Sequence, residues 1–283
     1  MVVDNTEKSP LLKGDLHNIN PMEKGNELAM LDCQKVTKIY PTPKGPYEVL
    51  YELDLKIFEG EFVSIIGHSG CGKSTLLSMI AGLNEISGGV IALGGQAITG
   101  PGPDRGVVFQ SPSLFPWMTA LENVMLGVEQ VFPHGTPQER HDICAYYLSK
   151  VGLGDSLNKK AGDMSNGMKQ RVGIARAFAL KPKLLLFDEP FGMLDSMTKK
   201  ELQDVLIDVW DREKITAIVV THDVDEALYL SDRVIMMTSG PRARIGDILD
   251  VSIERPRERK EFMEHPDYYK LRTHLINFLE HVT

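Results

Sequence analysis

The chain has 283 residues, with hydrophobic residues at 42% and charged residues at 25%, both ordinary for a soluble globular protein, and a formal net charge of −8. The acidic balance weighs against a dedicated nucleic-acid binder, which needs a basic face for phosphates. No apolar run approaches the ~18–20 residues that span a bilayer. The start, MVVDNTEKSP, lacks the basic and apolar stretches of a secretory signal, and three scattered cysteines fit a reducing cytosol without a disulfide framework.

Residues 1–28 mix Asp, Asn, Glu, Lys, Ser, Pro and Gly without an apolar period, which predicts a disordered tail. Order is expected from about Leu31. Leu53 to Ile57 alternates apolar and charged residues as a half-buried strand does, and Phe62 to Ile66 reads as a second strand. A glycine-rich loop follows and opens onto a helical pattern at Ser74-Thr75-Leu76-Leu77. Short strands are expected at Val90 to Leu93 and Gly106 to Phe109. From about 113 to 180 the pattern turns mostly helical, with apolar spacing in Ala120 to Leu126 and Ile143 to Val151. Strands return at 183–187, 216–220 and 233–237, with a helix at 196–213 between the first two. That alternation predicts a parallel sheet with right-handed crossovers, into which the helical block is inserted.

Gly67-His68-Ser69-Gly70-Cys71-Gly72-Lys73-Ser74 fits the pattern G-x-x-x-x-G-K-[ST] between a strand and a helix. The glycines let successive backbone N–H groups curl around phosphate oxygens, and the helix N-terminus adds partial positive charge. Lys73 is placed to reach β- and γ-phosphates, and Ser74 to ligate Mg²⁺. Cys71 reads as a bystander close to the nucleotide. The apolar run Leu184-Leu185-Leu186-Phe187 ends in Asp188-Glu189. Parallel strands present functional groups at their C-terminal ends. Asp188 can therefore hold the Mg²⁺ shell, and Glu189 can polarise an attacking water.

Four further segments carry a resemblance. Met164-Ser165-Asn166-Gly167-Met168-Lys169-Gln170-Arg171 resembles the signature of ABC-type ATPases, whose usual core is Leu-Ser-Gly-Gly-Gln. Gln110 resembles their Q-loop, Gly192-Met193-Leu194-Asp195 their D-loop, and Thr221-His222-Asp223 their switch histidine. With the phosphate loop and the acidic strand, six motifs stand in order over roughly residues 31 to 250. The resemblance implies an α/β fold: a P-loop ATPase core with a parallel sheet, an antiparallel β-subdomain and an inserted α-helical subdomain at about 111–180. The ATPase domain would cover 29–255, with a C-terminal helical extension at 256–283.

The resemblance also implies roles. ATP and Mg²⁺ are the expected ligands. Two such domains pack head to tail, so each ATP lies between one phosphate loop (Gly67, Ser69, Gly70, Cys71, Gly72, Lys73, Ser74, Thr75) and the other chain's signature. Ser165 and the N–H of Gly167 would meet the γ-phosphate of the partner's ATP. Gln110 would reach the metal and the water, alongside Ser74 and Asp188. His222 would contact the γ-phosphate and hold Glu189 in line. Tyr40 matches the aromatic that stacks on adenine, with Tyr47 as a weaker alternative. Asn166 departs from the usual glycine, and its Cβ is expected to crowd a backbone that approaches phosphate.

Ser111 to Met118 is apolar and Pro-bearing, where the family presents a groove to its membrane subunit. Leu114, Phe115 and Trp117 are either such anchors or ordinary core of the helical insertion. A Pro-Trp-Met run followed by Asn123-Val124 resembles importer ATPases for nitrate, bicarbonate, sulfonates and taurine. The ends Glu254-Arg255-Pro256-Arg257 and His265-Pro266-Asp267-Tyr268 resemble the nitrate/nitrite and bicarbonate members. The resemblance implies a nitrate/nitrite importer ATPase, with bicarbonate or sulfonate/taurine import as alternatives. It further implies permease subunits, a second ATPase subunit forming a homo- or heterodimer, a solute-binding protein, and a peripheral place on the cytoplasmic face of the inner membrane. A repair-type member would insert a long coiled coil before the signature, and a translation-type member would carry two ATPase domains. Neither pattern is present.

Overall fold

The computed structural model describes residues 29–281, so the predicted tail at 1–28 lies outside the described residues. Two long strands, β1 (Ala29–Thr42) and β2 (Gly45–Phe58), form an antiparallel pair. Sequence periodicity shows only the last part of β2. The reason lies in the register shifts between Cys33 and Lys38, and in the positive φ of Lys35 (48°) and Glu52 (41°). Each irregularity turns side chains to the other face, so the period of two is broken. After β3 (Phe62–Ile66) comes α1 (Lys73–Ile80), then β4 (Gly88–Leu93) and β5 (Gln96–Ala97), which complete a four-stranded sheet in the order β2-β1-β4-β5.

Next come β6 (Arg105–Val108), the helices α2 (Ala120–Val131), α3 (Pro137–Lys150) and α4 (Asn166–Ala179), and β7 (Leu184–Asp188). Capping boxes start α2 and α3, at Thr119/Glu122 and Thr136/Glu139, each satisfying two orphan backbone donors. The chain continues through α5 (Ser196–Glu213), β8 (Thr216–Val220), α6 (Val224–Leu230), β9 (Arg233–Met237), β10 (Ile245–Asp250), α7 (Arg259–Glu264) and α8 (Tyr268–His281). The second sheet has the order β10-β9-β3-β8-β7-β6; its pairs are parallel except for β10 on β9.

The parallel strands are apolar on both sides because each side has its own cover. Phe62, Leu185, Phe187, Ala217 and Val219 face the core shared with the helical block and with α5 and α6. Val63, Ile65, Leu184, Leu186, Ile218 and Val220 face the core shared with α1 and the antiparallel sheet. Phe62 stacks on Phe187 at 6.3 Å between centroids and meets Trp210 of α5 edge-on at 5.3 Å. Helix α8 lies over the far edge. Leu275 is fully buried, His274 Nε2 is 2.7 Å from Asp247 Oδ2 of β10, and His68 Nε2 is 2.6 Å from the carbonyl oxygen of Leu279. The C-terminal helix thus touches the loop between β3 and α1. Among the described residues no helix is long and apolar enough to cross a membrane.

Candidate functional site

The parallel order brings the C-terminal ends of β3, β7 and β8 side by side, and the loop 67–72 leaves β3 at that edge. Gly72 caps α1 with φ +104°, a left-handed conformation that a side chain would strain. The turn that aims backbone N–H groups at one point is therefore written into the sequence. Lys73 is buried, and its Nζ donates to the carbonyls of Gly67 (2.8 Å) and His68 (3.0 Å), which hold the ammonium over the loop. Cys71 is buried among the core residues beneath the loop, its thiol pushed up by burial, so it offers the loop its backbone only.

An open cleft of about 670 Å³ is lined by Val49, Ser69, Gly70, Gly72, Lys73, Ser74, Thr75, Glu189 and His222. That volume lies within the range of small-ligand and cofactor sites. Asp188 ends β7, and its Oδ1 accepts from Ser74 Oγ at 2.8 Å. Burial raises the Asp188 pKa, and Glu189 adds to the rise, while Ser74 and Lys73 oppose it. A hydroxyl and a carboxylate held this close form the hard-oxygen pair that Mg²⁺ prefers, so these residues fit that metal. Glu189 has φ +44°, and its N–H donates to Val220 O at 2.9 Å. A strained backbone on a non-glycine residue is held there by its surroundings. Its carboxylate is 3.5 Å from His222 Nδ1. Gln110 reaches the same place: a Cβ at Gly192 would stand 3.1 Å from Gln110 Nε2 and 3.7 Å from Glu189 Oε2. Glycine at 192 keeps that approach open.

The signature lies apart from this cleft, at the start of α4. Ser165 caps the helix, accepting from Met168 N at 3.3 Å, and is exposed. Asn166 is the first helical residue and is also exposed. It has no positive φ, so its side chain brings no backbone strain to this chain. Gly167 is buried, and a Cβ there would meet Thr198 Cγ2 at 2.7 Å. Gln170 Nε2 donates to Phe109 O at 3.2 Å and ties α4 to the residue before Gln110.

Tyr40 stands opposite Tyr47 across the β1–β2 pair. Asn84 Nδ2 donates to its hydroxyl at 2.5 Å, and Lys38 Nζ lies 4.7 Å from its ring centroid. It is not among the residues lining the cleft, where β2 contributes Val49. Sequence reasoning misses Val49, because an apolar residue in a strand carries no functional signal. The hydroxyl of Tyr47 and the carbonyl oxygen of Gly70 each lie 3.8 Å from the Cβ position of Gly240, and Tyr47 does not line the cleft either.

The segment after Gln110 divides. Leu114 packs on the helical core, whereas Phe115 and Trp117 are 44% and 65% exposed with ring centroids 5.4 Å apart. Buried Asn123 secures this segment from α2. Its Oδ1 accepts from Phe115 N at 2.8 Å, and its Nδ2 faces the carbonyls of Phe115, Met118 and Thr119 at 3.2, 3.3 and 2.8 Å.

Residues 50–192 match the family model described as ABC transporter. The chain is 52% identical over 251 residues to the bicarbonate transport ATP-binding protein CmpD of Synechocystis sp., covering 89% of each. It is 48% identical over 248 residues to the nitrate import ATP-binding protein NrtD of Synechococcus elongatus, covering 88% of this chain and 90% of that one. Among solved structures it resembles the dimeric structure of MJ0796, a bacterial ABC transporter cassette, with a TM-score of 0.70 and 32% identity over 80% of this chain and all of that one.

Proposed function

The chain belongs to the ABC transporter family of ATP-binding cassettes, ATPases coupled to transport, and from that premise we propose that it powers an importer for a small anion at the cytoplasmic face of the membrane. One observation carries the ATPase part of the reading: Glu189 and His222, 3.5 Å apart, line the same cleft as Lys73 and the phosphate loop; the cargo rests on the similarity to bicarbonate and nitrate proteins.

In this reading the loop N–H groups from Gly70 to Thr75 bind the ATP phosphates, and Lys73 leaves its two carbonyl partners to meet the β- and γ-oxygens. Glu189 orients the attacking water and accepts its proton, and His222 holds the carboxylate in line. Ser74, Asp188 and Gln110 would hold Mg²⁺, which would supply charge neutralisation at the phosphates. Adenine packs against Val49 with Tyr40 or Tyr47 beside it. Ser165 and the N–H of Gly167 serve the ATP of a second ATPase subunit, and Phe115 and Trp117 anchor a permease helix. A solute-binding protein delivers the anion to that permease.

Nitrate/nitrite is the cargo favoured by the motif resemblance, and the 52% identity to a bicarbonate protein favours the second reading. Uptake of labelled nitrate and labelled bicarbonate by cells with and without the chain decides between them. For the ATPase itself, Glu189→Gln in the purified assembly should bind ATP but lose about 10²-fold or more of hydrolysis, the scale on which general-base losses fall. The ATP-bound dimer should accumulate on size-exclusion chromatography. Hydrolysis at the parental rate refutes the role.

A further inference from the structure

His222 is exposed, with its Nδ1 3.5 Å from Glu189 Oε2. Its position therefore depends on its neighbours in the chain, and both are pinned. Thr221 is buried, its N–H donating to Ile65 O at 3.2 Å and its Oγ1 accepting from Asp223 N at 3.1 Å. Asp223 caps α6, with Oδ1 accepting from Asp225 N at 3.0 Å and Glu226 N at 3.1 Å. Its other oxygen points away from α6, toward α5. There Lys199 Nζ donates to Asp223 Oδ2 at 2.7 Å and lies 2.8 Å from Glu226 Oε2.

Lys199 is one helical turn beyond Asp195, the D-loop residue that caps α5 through Met197 N (3.1 Å) and Thr198 N (3.0 Å); the Lys199 N–H itself donates to Asp195 O at 2.9 Å. Glu226 is 4% exposed and also accepts from Gln203 Nε2 at 2.9 Å, so the far end of the bridge is fixed to α5 a second time. Helix α6 is braced from its outer side as well, where Tyr268 and Arg272 of α8 bond Asp225 at 2.8 and 2.6 Å. An ammonium serving two carboxylates in a half-buried place is a short, stiff connection.

We propose that Lys199 is a positioning residue for hydrolysis: through Asp223 and Glu226 it fixes the turn that carries His222 to the first turn of α5, and so ties the switch histidine to the D-loop. This rests on the reading of His222 and Glu189 as the hydrolytic pair. Lys199 is absent from the residues lining the ATP cleft, so its loss should spare ATP binding. Burial works against its charge, yet Glu226 and Asp223 outweigh that and hold its pKa above the ordinary value, so the ammonium stays charged throughout the physiological range, while burial pushes the Glu226 carboxyl upward.

The test uses the full chain in its copurified assembly and measures kcat and KM for ATP together with thermal melting. Lys199→Met should lower kcat about tenfold or more, as displaced catalytic groups do, with KM changed by no more than roughly twofold. Lys199→Arg should restore most of the rate. Since Lys199→Met leaves a buried carboxylate unpaired, the double variant Lys199→Met/Glu226→Gln keeps the test valid: it should melt near the parent and still show the kcat loss. Adding Lys199→Met to His222→Ala should cost nothing further. Parental kcat in Lys199→Met beside a collapsed His222→Ala overturns the proposal and leaves the site reading intact. Parental kcat in His222→Ala overturns both. A kcat loss that Arg does not rescue and that follows the melting temperature makes Lys199 structural only, and also overturns the proposal.

Discussion

Replacing Asn123 by Ala isolates the contact that shapes the exposed aromatic segment. The wild-type side chain is fully buried and faces four backbone groups of residues 115–119. Its amide has two hydrogens for three carbonyls, so three good hydrogen bonds are the most it sustains at once. At about 1 kcal/mol net for each bond, their loss costs about 3 kcal/mol. Alanine returns up to about 0.7 kcal/mol through its better helix propensity within α2. The expected destabilisation is therefore about 2–3 kcal/mol, which lowers the melting temperature by roughly 4–12 °C in a chain of this size. Asn123→Asp should be worse than Ala despite its shape, since it turns carboxylate oxygen toward carbonyls that need a donor. Thermal unfolding of the purified chain measures both. ATP binding by the chain should persist below the transition, because Asn123 does not line the cleft, while transport by the assembly should fall as Phe115 and Trp117 lose their fixed presentation. A loss under about 1 kcal/mol, as surface substitutions give, would show that the segment holds its shape without Asn123.

Lys73→Ala should abolish ATP hydrolysis at the site built on this chain's phosphate loop, since no lysine or arginine elsewhere in the loop offers a charge to the β- and γ-phosphates; near-normal turnover at that site contradicts the phosphate-loop reading. Asn166→Gly should speed, or leave unchanged, the ATP site built on a partner's phosphate loop, and barely alter the site built on Lys73. Inactivating one phosphate loop at a time separates the two sites, and an assembly holding only this ATPase in two copies would replace the heterodimer with a symmetric pair. Asp223 gives a pH signature: burial alone would raise its pKa, but Lys199 and the amides of α6 hold it below the ordinary value. Such a carboxylate contributes its full stability above the unfolded-state value near ~3.9 and loses it as pH falls through the lower folded value. Asp223→Asn should thus melt below the parent at pH 7, with the gap closing in acid; a gap independent of pH contradicts the assignment.

Chemistry at fixed spacing is legible in a sequence. Lys73, Ser74, Asp188 and Glu189 could be proposed beforehand because phosphate, metal and water each demand particular side chains at the ends of particular strands, whereas His222 stands out only through the motif resemblance. The apolar strands β3, β7 and β8 announced themselves because both of their faces are buried. Strand β1 did not, since its register shifts erase the alternation on which strand reading depends. Tertiary anchors are equally silent. Lys199 and Glu226 stand 27 positions apart and Asn123 and Phe115 eight, and nothing local marks either pair. Asn166 is exposed on the first turn of α4, and the crowding expected of it concerns a phosphate bound by a second chain, so that expectation rests on the usual glycine alone.

The contact between His68 and Leu279 has a mechanical side. The last turn of α8 grips a residue of the phosphate loop through a main-chain oxygen, and Leu275 roots the same helix in the core. Helix α8 is therefore a handle on the nucleotide loop. A pull on the last turn of α8 is transmitted to the phosphate loop through that contact. Force applied there in a pulling experiment would load the phosphate loop first, so the unfolding force measured from this end should rise with bound ATP.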